Sequence, residues 1–116
     1  MKIVLAETQT GILYGLKVLL AEQSGYQLMG VAVNADELFQ LIELVSPDLL
    51  LLNVRLPGVT NEDLLQLLKQ KWPTLNVVVM SARPEHRSRA LQAGADGFVC
   101  QSEPATKLLA TLRALE

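Results

Sequence analysis

The sequence predicts an α/β fold, a parallel sheet of five strands wound between layers of helices. Three observations carry that prediction. Short apolar runs alternate with stretches of helical periodicity five times along the 116 residues, the pattern of a sheet covered on both sides. Leu49, Leu50, Leu51 and Leu52 are apolar at every position, so that strand has no solvent face, as in parallel sheets packed between helices. The connections are short, and the right-handed crossover rule then leaves few topologies. The length suits one domain over residues 1–116 with a real core.

Each element follows from its residues. Lys2-Ile3-Val4-Leu5-Ala6 is a first short strand, ended by the polar group Glu7-Thr8-Gln9-Thr10-Gly11. Ile12, Leu13, Leu16, Leu19 and Leu20 then recur at helical spacing, and Ser24-Gly25 stops that helix. Residues 28–33 read as a second strand, after which Asn34 caps a helix with Glu37 three residues on, a capping-box pattern. Leu38, Leu41, Ile42 and Val45 form its buried stripe, and Ser46-Pro47 ends it. The four-leucine strand closes at Asn53 and runs into a turn at Pro57-Gly58.

Thr60 and Asn61 open a third helix whose Leu64, Leu65, Leu68 and Trp72 face inward, with Pro73 as its stop. Residues 77–82 are β-branched and apolar, a fourth strand. Pro84 suits the first turn of a fourth helix with a thin apolar stripe, mainly Ala90, Leu91 and Ala93. Gly94-Ala95-Asp96-Gly97 turns into a fifth strand, Phe98-Val99-Cys100. Ser102 is placed to cap the last helix, where Ala105, Leu108, Leu109 and Leu112 repeat at helical spacing.

Composition narrows the function classes. Half the residues are apolar and five are aromatic, so the chain folds on a core of Leu, Val and Ala. A net charge of −2 gives no general drive toward nucleic acid or anionic lipid. The single cysteine, Cys100, excludes an internal disulfide and reads as a small buried hydrophobe. The apolar start ends at Glu7, too short for a secretion signal, and no apolar run approaches membrane-spanning length. The expectation is a cytoplasmic protein that touches neither membrane nor nucleic acid by itself.

In parallel α/β sheets, ligands sit beyond the carboxyl ends of the strands. Those ends carry Glu7 and Thr8, Asn53, Ser81 and Gln101. Together with Val4-Leu5-Ala6-Glu7, Pro47-Asp48-Leu49, Asn53-Val54-Arg55-Leu56-Pro57-Gly58, Val79-Met80-Ser81-Ala82 and Ala93-Gly94-Ala95-Asp96-Gly97-Phe98, they make the whole chain resemble the receiver domain of two-component response regulators. The pattern looks most like receivers attached to helix-turn-helix transcription regulators. The resemblance implies a flavodoxin-like, doubly wound sheet of order 2-1-3-4-5 in a three-layer sandwich, serving phosphorelay signal transduction.

The resemblance also assigns roles. In the family an aspartate stands at the position of Asn53 and takes a phosphoryl group from a histidine kinase. An acidic pair at the positions of Glu7 and Thr8 holds Mg²⁺ with that acceptor and the backbone carbonyl at Arg55. A hydroxyl at Ser81 and a lysine at the position of Gln101 bind the phosphoryl oxygens, and Ser81 with an aromatic at Phe98 forms the switch. Here Glu7 and Ser81 fit, while Thr8, Asn53 and Gln101 depart. An amide at Asn53 cannot form an acyl phosphate by nucleophilic attack. Mg²⁺ wants one or two carboxylates among its oxygens, and Glu7 alone remains. Gln101 cannot neutralise phosphoryl charge as a lysine would. The expected site is a degenerate acceptor with no catalytic residue, no cofactor, weak or absent Mg²⁺, and neutral hydrogen bonds such as one between Asn53 and Gln101.

The resemblance implies a protein partner or a second copy of the chain, bound through the helix four, strand five and helix five face or the helix one and helix five side. Arg83, Arg87 and Arg89 with His86 form a basic cluster there, read either as a solvated helix face or as that partner surface. His86 has no metal partner at usable spacing and reads as solvated. Glu7 reads as exposed or as bonded to Thr8, Ser81 or backbone amides. A competing reading takes Thr8-Gln9-Thr10-Gly11 as a flavodoxin-like loop for the phosphate of a flavin or nucleotide. Leu13 stands where that loop would carry a further hydroxyl, and the loops after strands three and four hold no aromatic to stack on a flavin.

Overall fold

A computed structural model describes residues 1–53 and 61–116. The elements alternate as β1 (Lys2–Ala6), α1 (Thr10–Ala21), β2 (Gln27–Ala32), α2 (Ala35–Val45), β3 (Leu49–Asn53), α3 (Asn61–Lys71), β4 (Asn76–Ser81), α4 (His86–Gln92), β5 (Gly97–Cys100) and α5 (Ala105–Ala114). The strands form one sheet in the order β2-β1-β3-β4-β5, parallel at every pairing. The sequence predicts this doubly wound, flavodoxin-like architecture, and the structure has it.

The four leucines of β3 divide the core between two faces. Leu50 and Leu52 pack with Leu38 and Ile42 of α2, Leu64, Leu65 and Leu68 of α3, and Ala90 of α4. Leu49 and Leu51 pack with Leu16 and Leu20 of α1 and Leu108 and Leu112 of α5. All four are buried, each contributing about 2 kcal/mol of hydrophobic stabilisation. In register, Leu51 lies between Leu5 of β1 and Val78 of β4. Chain order reverses on either side of β1, so the crevice for a site opens beyond β1 and β3. Among the described residues no helix is long and apolar enough to cross a membrane.

Local signals explain most boundaries. Asn34 Oδ1 accepts from the Glu37 amide at 2.8 Å, the expected cap. The return bond reaches one residue further out: Glu37 Oε1 accepts from the Val33 amide at 3.2 Å. That use of Val33 places it just outside β2, which starts and ends one residue earlier than the sequence suggests. Ser46 ends α2 with φ of 48°, in the left-handed region that glycine usually fills.

Three expectations are corrected. Pro84 precedes α4, its carbonyl accepting from the Arg87 amide at 3.1 Å in the approach turn. Leu91 points to solvent and Ala90 is the buried residue of α4, because the helix is one and a half to two turns long and touches the core along one edge. Ser102 does not cap α5, whose N-cap is Pro104; the Ser102 hydroxyl lies 3.1 Å from Cys100 Sγ instead. The Pro57-Gly58 turn, the Arg55 carbonyl and the helix-opening Thr60 lie outside the described residues.

Candidate functional site

The ends of β1, β3, β4 and β5 bring Glu7, Asn53, Ser81 and Gln101 together, as the strand order requires. Glu7 is 1% exposed. A buried carboxylate needs donors on both oxygens, and the backbone leaving β1 supplies two. Glu7 Oε2 accepts from the amides of Thr8 at 2.9 Å and Gln9 at 3.2 Å. Glu7 Oε1 accepts from Asn53 Nδ2 at 2.8 Å. The expected pairing of the Asn53 and Gln101 amides thus gives way to Asn53 with Glu7. A carboxylate is a stronger acceptor than an amide oxygen, and the register of β1 beside β3 brings the two ends together. Of the readings for Glu7, the backbone-amide one holds.

Ser81 closes β4 and is buried. Its Oγ lies 2.7 Å from His86 Nδ1 and accepts from the Arg83 amide at 3.1 Å. With a neutral imidazole, the Ser81 proton goes to Nδ1 and the ring proton sits on Nε2. His86 is therefore not a solvated histidine: the turn through Pro84 folds it back onto the strand end. A hydroxyl followed five residues later by an imidazole across a proline turn was the signal in the sequence.

Gln101 follows β5, its backbone amide donating to the Ser81 carbonyl at 2.7 Å. Its side-chain Nε2 is buried and has no hydrogen-bond partner. Phe98 is buried on the helix α3 and α4 side of the sheet, with the Arg87 guanidinium 5.2 Å from its ring centroid, within cation–π range. Cys100 is buried, as expected of a small hydrophobe. Arg83, Arg87 and Arg89 are exposed, and Arg89 meets Glu62 at 3.6 Å between exposed side chains, a pair of little energetic weight.

A cavity of about 140 Å³ opens here, lined by Gln9, Asn53, Ser81, Ala82, Arg83, His86 and Gln101. Thr8 is exposed and off its wall. The donor set does not suit the Mg²⁺ of related folds: both Glu7 oxygens face N–H groups, and Asn53 turns a donor toward Glu7. Among the described residues, no three His, Cys, Asp or Glu side chains cluster as a metal site. The flavin reading loses two of its donors, since the Thr8 and Gln9 amides already serve Glu7.

Known proteins share the family and the fold of this chain. A family model described as the response regulator receiver domain matches residues 3–113. The chain is 29% identical over 113 residues to the transcriptional regulatory protein YhcZ of Bacillus subtilis (strain 168), covering 96% of this chain and 53% of that protein. It is 31% identical over 100 residues to the nitrate/nitrite response regulator protein NarL of Escherichia coli (strain K12), covering 84% and 46%. The isolated REC domain of RcsB from Salmonella enterica serovar Typhimurium, solved in the presence of phosphomimetic BeF3−, superposes with a TM-score of 0.92 at 21% identity, over 99% of this chain and 87% of that one. A LuxR-family DNA-binding response regulator from Staphylococcus aureus gives 0.87 at 20%, over 98% and 97%. The chain spans about half the length of these curated relatives.

Proposed function

This chain belongs to the response regulator receiver domain family, and from that membership we propose that it transmits its signal without an aspartyl phosphate. The single observation that carries the reading is the 2.8 Å bond from Asn53 Nδ2 to the buried Glu7 carboxylate. With an aspartate at that position two carboxylates would meet in a buried pocket and would need a cation or a proton between them. Asparagine turns that repulsion into a hydrogen bond, so the Glu7 carboxylate is satisfied without metal or phosphoryl group. No lysine stands at Gln101 to receive phosphoryl charge, and Thr8 supplies no second acid. The domain is a degenerate receiver without catalytic activity, acting in the cytoplasm through protein contacts as the receiver part of a longer transcription regulator.

Of the two candidate partner faces, the α1 and α5 side has the stronger physical support. Tyr14 on α1 is 70% exposed and Val18 is 42% exposed. Beside them a groove of about 420 Å³ runs between α1 and α5, walled by Ile12, Leu16, Leu19 and Leu108. Apolar surface of this kind suits a protein partner or a second copy. The basic residues of α4 make the other face more polar and better solvated.

The test is mass spectrometry after incubation with Mg²⁺ and a small-molecule phosphodonor, beside Asn53→Asp. The native chain is expected to stay unlabelled. Labelling of Asn53→Asp alone would mean the frame lacks mainly its nucleophile, and a phosphoryl adduct on the native chain would sink the proposal. The same unlabelled sample in the ultracentrifuge, with and without Tyr14→Lys, tests the α1 and α5 face; a mass unaffected by that change removes it.

A further inference from the structure

The groove between α1 and α5 reaches through the helix layer to the sheet. Ile12, Gly15 and Leu19 of α1 and its C-cap Glu22 follow one another at spacings of three and four residues, so they share one helix face. Ala105 and Leu108 of α5 stand on the opposite wall, and Met80 of β4 and Val99 of β5 form the floor. Gly15, in the middle of the α1 face, keeps the gap open. Glycine is a poor helix former beside alanine, and the packing does not ask for it, since a Cβ at Gly15 would meet no atom within 4 Å. The missing side chain leaves room rather than avoiding a clash. The volume of about 420 Å³ falls in the range of small-molecule sites, roughly 300–1,000 Å³.

The charge of the groove is one-sided. Glu22 and Glu103 line it, and among the described residues its wall holds no Lys, Arg or His. Both helices start at the carboxyl ends of the strands, so the two acids stand at opposite ends: Glu22 where α1 finishes, Glu103 just before α5 begins. From Ile12 to Glu22 is about 15 Å at the helical rise. Glu103 Oε1 already accepts from the Cys100 amide at 2.9 Å, which leaves the exposed Glu22 to meet the charge of a ligand.

We infer that this groove binds a slender apolar molecule with a cationic amine head. The apolar body lies over Met80 and Val99 between Gly15 and Ala105, and the amine meets Glu22. An apolar anion would face two carboxylates, and a helix of a partner, about 10 Å across, is too broad to reach the sheet through a gap of this volume. The inference goes beyond the receiver reading and does not depend on the chemistry at Asn53. Val18, an exposed residue of the protein-contact face, lines the same groove, so an amine bound there acts on that face.

The experiment is a ¹³C–¹H methyl NMR titration of the full chain with decylammonium chloride below its micelle concentration, against sodium decanoate of equal chain length. The Met80 and Val99 methyl resonances are expected to shift saturably with the amine, at one amine per chain, and decanoate is expected to bind about tenfold more weakly. Gly15→Leu fills the groove and should weaken amine binding at least about tenfold, while melting no lower than the native chain because it displaces no atom. Gly15→Ala should give a smaller loss of the same sign. Glu22→Gln, at an exposed acid, should cost about three- to fivefold. Leu44→Gln, at an exposed leucine of α2 on the other side of the sheet, should leave affinity within about twofold. Shifts that stay linear, equal affinity in a folded Gly15→Leu, or decanoate binding as tightly as the amine overturn the site. So does a chain that sediments as a dimer, loses the dimer in Gly15→Leu and takes up no amine, because a second copy then fills the groove. Tyr14 lies off the groove wall, so Tyr14→Lys reads the protein-contact face and the amine titration reads the groove, and either can fail without the other.

Discussion

The two halves of the strand-end pocket are built on opposite terms. On the β1 and β3 side, Glu7 is 1% exposed and accepts three hydrogen bonds, from two backbone amides and Asn53. On the β4 and β5 side, Ser81 is engaged by His86 and the Arg83 amide, while the neighbouring Gln101 Nε2 is buried without a partner. The helix over that second half, α4, buries Ala90, whereas α2 buries Ala35, Leu38 and Ile42. The first half holds a buried charge in a closed set of donors and so resists change. The second half holds the neutral Ser81 and Gln101 beside an exposed Arg83, an unmet donor and a lightly anchored helix, and local opening favours such regions. Of the two halves, the second is the one more readily opened.

Four substitutions break or sharpen that contrast. Asn53→Leu removes a donor from a carboxylate that stays buried, and should destabilise the domain by about 3 kcal/mol in chemical denaturation. Asn53→Asp destabilises with the same sign but with a pH dependence. Two adjoining carboxylates raise the folded-state pKa of the pair, so the native state binds protons that the unfolded chain has released. The deficit of that variant therefore shrinks as pH falls and is complete above the carboxylate range; a deficit independent of pH would mean that the two acids do not meet.

Ser81→Ala removes two neutral hydrogen bonds, one with His86 and one from the Arg83 amide, and should cost about 1–2 kcal/mol. Its effect should concentrate in faster hydrogen exchange of α4, and exchange that rises equally over the whole sheet would remove the distinction between the halves. Gln101→Leu should have the opposite sign, stabilising the fold by up to about 1 kcal/mol because an unpaired buried amide becomes apolar. A loss of stability there would mean that Gln101 has an acceptor in solution.

What could be read from the chain alone divides along the same line. Leu49–Asn53 is legible because a run of four leucines leaves no solvent face, and α2 is legible because Asn34 and Glu37 sit three residues apart at its start. Those signals are local, set by side-chain period and by groups within one turn of each other. The shorter α4 misled the reading at Pro84 and Leu91, since a helix of seven residues has too few turns for a period to declare itself. Ser102 looked like a cap because its type suits one, but Pro104 with its fixed φ took the position.

By itself the sequence determined the sheet, its burial on both faces, and which residue types stand at the strand ends. The proposal that Asn53 forms no acyl phosphate likewise rests on the functional group and not on its surroundings. The tertiary structure alone decided the partners. Asn53 and Glu7 are 46 residues apart, and whether an amide there donates to an acid or to another amide depends on the parallel register of β1 beside β3. His86 becomes part of the pocket, and Gln101 remains without an acceptor, for the same reason: hydrogen bonds are settled by distances of about 3 Å, and only the folded chain sets those distances.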